Sequence, residues 1–236
     1  MIESHYHALF SGHRHEIIII RDAKSLCEGY TRGYEQSTGQ LLVFSHDDIE
    51  FVTQDVPARL LGHLAQFDLV GIAGTTRLIS GTWVSAGDPY CFALVIYPEA
   101  DGLFSVRYAG AGPLCVPNVQ ALDGCFFACR REVVDAVGFD SEIFDDFHLY
   151  DVDFTFQAYR KGFQLAVCRD LALIHSSRGK ANDRWQHYRE RFEAKYRGQL
   201  SEGTPGTMQT VGVTVAREKL ALLCDPEYLL RAIRWS

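Results

Sequence analysis

A chain of 236 residues with 47% hydrophobic content can bury a full core as one large domain or as one domain with an appendage. The formal net charge of -7 and the lack of any basic block argue against a nucleic-acid backbone as the main partner. No apolar run approaches the roughly 20 residues of a membrane span, and residues 1–7 carry neither a basic nor an apolar leader segment. The seven cysteines are odd in number and irregularly spaced, several of them inside apolar runs, so they read as reduced core residues of a cytoplasmic protein.

In chain order, residues 1–16 carry scattered histidines (His5, His7, His13, His15) and no periodicity, and are expected to be loosely ordered. Ile17-Ile18-Ile19-Ile20 reads as a buried strand. Residues 25–37 place Leu26, Tyr30, Gly33 and Tyr34 on one helical face, closed by Thr38-Gly39. The run Leu41-Leu42-Val43-Phe44 enters Ser45-His46-Asp47-Asp48, so an apolar strand ends in an imidazole and two carboxylates. Strand, helix, strand over residues 17–45 predicts a βαβ unit in a mainly parallel central sheet covered by helices, whose ligands bind at the carboxyl ends of the strands. His46 and Asp48 are then candidate ligands for a divalent cation, Asp47 facing away, and a solvated acidic turn is the competing reading.

After Glu50 the chain is expected to leave the sheet for a helix entered at Asp55-Val56-Pro57. A short strand over residues 68–74, a hairpin with strands at 92–97 and 103–108, and a strand over 121–129 follow. Asp123-Gly124 marks the turn in that last strand, and residues 130–137 form a short helix. Asp151 and Asp153 precede a helix over 154–160, where acids are stabilised by the free N–H groups and dipole, so plain capping acids are the alternative to a functional role. Strands at 164–168 and 171–174 come next, the second running into His175, which on its own reads as a structural residue. Residues 182–197 form an amphipathic helix with Trp185, Tyr188, Phe192 and Tyr196 inward. Residues 201–207 read as a linker, and 215–235 as one or two short helices. Three regions result: an N-terminal segment (1–16), a main α/β domain (17–200), and a linker with a helical extension (201–236).

Taken together, Phe44-Ser45-His46-Asp47-Asp48-Ile49, Asp123-Gly124-Cys125-Phe126-Phe127-Ala128-Cys129-Arg130-Arg131-Glu132-Val133, Val137-Gly138-Phe139-Asp140, Tyr150-Asp151-Val152-Asp153-Phe154, Arg160-Lys161-Gly162-Phe163 and Ile174-His175 resemble, in order and spacing, the GT-A glycosyltransferases of glycosyltransferase family 2. The first of these is similar to the metal motif of a branch in which histidine replaces the first aspartate of Asp-x-Asp. The resemblance implies an α/β, Rossmann-like GT-A fold of the nucleotide-diphospho-sugar transferases. It also implies a metal-dependent inverting glycosyltransferase that moves a sugar from a UDP-, GDP- or dTDP-linked donor to a hydroxyl on a glycan, lipid-linked or small-molecule acceptor. By position, Asp48, His46 and His175 would hold Mn2+ or Mg2+ and Asp151 would be the catalytic base. Asp123 would lie near the donor sugar and Asp22 near the nucleoside. Family members usually begin with a strand of the type Val-Ser-Val-Ile-Ile-Pro, and residues 1–16 contain nothing like it, so 17–20 matches the family's second strand. That leaves a second reading, a GT-A-like binding or scaffold protein without turnover, and a third, a metal-dependent hydrolase. A homo-oligomer is compatible with the C-terminal extension.

Overall fold

The computed structural model describes residues 2–179, 182–225 and 228. Its elements are, in chain order, α1 (Ile2–Leu9), α2 (Leu26–Gln36), β1 (Leu41–Ser45), β2 (Ile49–Phe51), α3 (Val56–Leu64), β3 (Leu69–Gly71), β4 (Ala73–Thr75), β5 (Cys91–Pro98), β6 (Leu103–Ala109), β7 (Cys115–Pro117), β8 (Ala121–Leu122), β9 (Phe126–Arg130), α4 (Arg131–Val137), α5 (Tyr150–Arg160), β10 (Leu165–Cys168), β11 (Leu173–His175), α6 (Asp183–Lys195), β12 (Thr210–Ala216) and α7 (Leu220–Leu223). A five-stranded sheet runs β1-β9-β3-β10-β7, and a second sheet runs β12-β6-β5-β11-β2, with β4 joined to β5 and β8.

The sheets are mixed, which corrects the expectation of mainly parallel pairing. β10 pairs with β3, and β11 with β5, in parallel. The other ladders described, including β1 with β9, are antiparallel. The expected βαβ unit fails at its first strand, because residues 17–20 form no strand and are not buried. Ile18 and Ile20 lie instead opposite Gly29 and Gly33 of α2, and Ile19 is 40% exposed. An apolar run finds any apolar surface, and the glycine-lined face of this helix supplies one. β1 consequently ends its sheet and alternates, with Leu42 and Phe44 buried and Leu41 and Val43 exposed.

Two further expectations change. Residues 2–9 are helical rather than loose: Ile2, Tyr6 and Leu9 pack on the core, and His5 Nε2 accepts the Phe51 N–H at 2.9 Å. At the other end, residues 210–216 form β12, paired along its whole length with β6. Val211, Val213 and Val215 alternate there and favour a strand, which takes in residues 215–216 at the start of the expected helices. Within the expected helices, Arg217–Lys219 forms a 3-10 turn that runs into the helix Leu220–Leu223, and residues 226–227 and 229–235 lie outside the described residues.

The main core lies between the five-stranded sheet and α2, α4, α5 and α6. Phe44 stacks on Phe127 at 5.1 Å and Phe139 on Phe154 at 4.4 Å, so β1, β9 and α5 are locked in register behind the strand ends. A second core fills the space under α3. Arg169, fully buried after β10, donates to the carbonyls of Ala109 and Gly112 at 2.9 and 3.1 Å and also to those of Gly110 and Pro113, beneath the Tyr108 ring at 4.4 Å. Arg169→Ala removes the donor to all four carbonyls and empties a fully buried site, and a loss of about 3 kcal/mol in urea-unfolding stability is the expected result.

Candidate active site

The sequence brings acid and imidazole together by strand register. His175 ends β11, and its partner on β2 is Ile49, the residue after Asp48. β2 is the strand that delivers Asp48, and beyond it the chain leaves the sheet for α3, as expected. Ser176 N–H donates to the Asp48 carbonyl at 3.0 Å and Ser177 N–H to Asp48 Oδ2 at 2.9 Å. Asp48 Oδ1 lies 3.3 Å from His175 Nε2. His46 is held at the end of β1 by its N–H to the Cys125 carbonyl, and its Nδ1 is 3.2 Å from His175 Nε2.

Tyr150 sets the His46 tautomer. Its hydroxyl donates to the Gly124 carbonyl at 3.1 Å and sits 2.9 Å from His46 Nε2. With the phenol's single proton committed to Gly124, the imidazole must donate from Nε2, which leaves the Nδ1 lone pair facing His175 and Asp48. Burial pushes the His46 pKa down and keeps the ring neutral, against the pull of Asp123. Burial alone would raise the Asp48 carboxyl, yet the Ser177 hydrogen bond and the two imidazoles hold it below its ordinary value.

The second half of the site hangs from the same tyrosine. Tyr150 opens α5 after Leu149, which adopts a left-handed φ of 61°, and Asp151 follows in the first turn. Gly124 N–H donates to Asp151 Oδ2 at 2.7 Å. A Cβ on Gly124 would lie 2.2 Å from the Tyr150 hydroxyl oxygen and 2.7 Å from Asp151 Cβ, so only glycine allows this approach. Asp123 accepts from Trp83 Nε1 at 2.9 Å and from Cys125 N–H at 3.0 Å. Burial, with the Asp123 charge second, raises the Asp151 pKa to about 7, against the N–H groups of Val152, Asp151 itself and Gly124. A continuous chain His175–His46–Tyr150–Gly124–Asp151 thus connects the two halves.

Of the predicted residues, His46, Asp48 and His175 form one cluster, and Asp123 and Asp151 sit on the turn and helix bonded to it. Asp22 is not part of this network; it is exposed and paired with Arg32 at 2.8 Å. Asp153, the other acid of that helix start, is buried and accepts from Lys195 and Tyr196, fastening α5 to α6. Sequence reasoning missed Tyr150 and Ser177; the only signal was their adjacency to Asp151 and His175. A cavity of about 670 Å³ borders α1 and β2, and none of the six predicted residues lines it.

The donor atoms of His46, Asp48 and His175 all lie within 4.8 Å of one another, close enough for a single ion. Two imidazole nitrogens and a carboxylate fit a divalent cation, and the nitrogens suit Mn2+ better than the strictly oxygen-seeking Mg2+.

An α/β fold thus gathers these groups at its strand ends and at the start of a facing helix. The chain belongs to the glycosyltransferase-like family, whose family model matches residues 5–196, in line with the family 2 resemblance. Among solved structures it is similar to the mannosyltransferase PcManGT from Pyrobaculum calidifontis in complex with GDP-Man and Mn2+, at 12% identity and a TM-score of 0.47. The match covers 93% of this chain and 53% of that one, so the chain spans about half the length of that protein. The comparison with curated proteins returns no match.

Proposed function

We propose that the protein is a metal-dependent inverting glycosyltransferase, moving a sugar from a nucleoside-diphosphate donor to an acceptor hydroxyl. The observation that carries this reading is the convergence of His46, Asp48 and His175 with Asp151 hydrogen-bonded into the same network.

A cation held by Asp48, His46 and His175 would supply Lewis-acid stabilisation of the charge that builds on the leaving diphosphate. Tyr150 keeps the His46 lone pair on Nδ1, and Ser177 keeps the Asp48 carboxylate aimed at the imidazoles. Asp151, raised to about 7, holds a proton as readily as it yields one near neutral pH, which suits a general base that takes the acceptor hydroxyl's proton. Asp123, fixed by Trp83 and the Cys125 N–H, is placed to orient the donor sugar. A single displacement assisted in this way inverts the anomeric centre. The donor is UDP-, GDP- or dTDP-linked and the acceptor a glycan, a lipid-linked sugar or a small molecule. The reduced cysteines favour the cytoplasm.

Calorimetry with UDP, GDP and dTDP, each with and without Mn2+, tests this. The expected outcome is a binding heat with one of the three that requires the metal. No metal-dependent heat with any of them overturns the enzyme reading in favour of a GT-A-like binding protein.

A further inference from the structure

A second group of metal-ligating side chains lies outside the glycosyl-transfer site. We infer that Cys115, Cys168 and His63 form a binding site for Zn2+, with Asp170 orienting the imidazole. β7 and β10 are antiparallel neighbours, and their register sets Cys115 directly opposite Cys168. The two sulfurs are 3.2 Å apart. His63, in the last turn of α3, completes the group, and one ligand atom from each residue lies within 4.8 Å of the others.

The sulfur separation discriminates between the uses of such a pair. A tetrahedral Zn2+ with Zn–S bonds of about 2.3 Å sets two sulfurs about 3.8 Å apart. Reaching that from 3.2 Å needs an opening of about 0.6 Å. A disulfide, at about 2.05 Å, would need the sulfurs to close by more than 1 Å. His63 Nε2 lies 2.9 and 3.0 Å from the two Asp170 oxygens, and Arg59 Nη1 holds that carboxylate from the other side at 3.1 Å. With Nε2–H donated to Asp170, Nδ1 is the nitrogen left to ligate once its proton leaves, and a carboxylate behind the ring is the arrangement that fixes the tautomer of zinc-bound histidines. Two thiolates and an imidazole select a borderline-soft ion over the hard cations that carboxylates prefer.

The place in the fold also suits an ion. β7 ends its sheet, and Cys115 and His63 are half-buried there while Cys168 is buried, so an entry path exists without an open site. The three ligands come from three separate elements, and Asp170 stands five residues before His175, so the ion would tie α3 and the sheet edge to the segment that leads into the catalytic cluster. Thiols lose their protons on binding, which makes the site pH-dependent and its binding energy a contribution to folding.

The test uses the full chain, reduced, with Co2+ as probe, because thiolate-to-cobalt charge-transfer absorption reports cysteine ligation and not the His46–Asp48–His175 cluster. The expected result is that one equivalent of Co2+ gives this band, Zn2+ abolishes it, Asp48→Ala retains it and Cys115→Ser loses it. In the wild type, Zn2+ should slow alkylation of Cys115, followed by mass spectrometry, at least tenfold, a readout that needs no variant to fold. Absence of the band, an alkylation rate indifferent to Zn2+, or isolation of the reduced-buffer protein as a metal-free Cys115–Cys168 disulfide overturns the site. None of these outcomes bears on glycosyl transfer.

Discussion

Asp151→Asn is expected to lower the transfer rate by roughly 100- to 10,000-fold, the range for loss of a positioned general base, while Mn2+-dependent nucleotide binding stays within a factor of about two of wild type. The split follows from the connections of the residue. Its Oδ2 accepts from the Gly124 N–H, a bond that an asparagine carbonyl also makes, so the turn beneath Tyr150 and His46 is preserved. What the amide lacks is a lone pair basic enough to take a proton.

The same variant separates catalysis from stability by its sign. The carboxyl has a folded pKa of about 7, raised from 3.8, so the native state binds its proton more tightly than the unfolded chain. The corresponding stability is complete below the unfolded value and is lost as pH rises through the folded one. At pH 8 Asp151→Asn should therefore leave the melting temperature unchanged or raise it, whereas a residue of purely structural importance would lower it. The wild-type transfer rate should rise with pH through about 7 and level off, because the base works only when ionised. Asp123→Asn, which removes the second cause of the shift, should move that limb to lower pH. A rate that is flat from pH 5.5 to 8.5 would remove Asp151 from the role of base.

What the sequence made legible was local. The amphipathic spacing of Trp185, Tyr188, Phe192 and Tyr196 determines α6 because a 3.6-residue period has only one way to face a core. The hairpin of β5 and β6 is announced by its turn. The pairing of His46, Asp48 and His175 is a different matter: nothing within either segment encodes that β2 and β11 share a ladder, and it was the ordered succession of motifs that suggested the contact. Where only composition spoke, as in Ile17-Ile18-Ile19-Ile20, apolar content indicated a packing partner without saying whether that was a sheet or the Gly29–Gly33 face of a helix. Tyr150 was illegible for a related reason. Its function depends on the left-handed turn at Leu149 and on the missing side chain of Gly124, both of which are properties of backbone approach rather than of residue type. The thiol–imidazole group could not be read either, since His63, Cys115 and Cys168 follow no short ligand spacing and meet only through the β7–β10 register.

Asp48→Ala should abolish metal-dependent donor binding, with affinity falling at least 100-fold, about 2.7 kcal/mol. The alanine removes two things at once: the only carboxylate of the cluster, and the acceptor for the Ser177 N–H that orders the chain after β11. Asp48→Asn distinguishes them, because its carbonyl oxygen still accepts from Ser177 while the charge is gone. If the carboxylate acts as a ligand, both variants lose the Mn2+-dependent heat, and only alanine also loosens the segment that carries His175. If Asp48 merely braces that segment, asparagine should bind donor nearly as well as wild type, and that result would sink the assignment. Tyr150→Phe supplies the orthogonal arm. It leaves all three ligands in place but frees His46 to carry its proton on Nδ1, so a drop of roughly 10- to 100-fold in Mn2+ affinity is expected, the range seen when a ligand's supporting hydrogen bond is removed. A metal site needs both effects, since a carboxylate contributes charge and an imidazole contributes a lone pair only when something holds its proton on the far side.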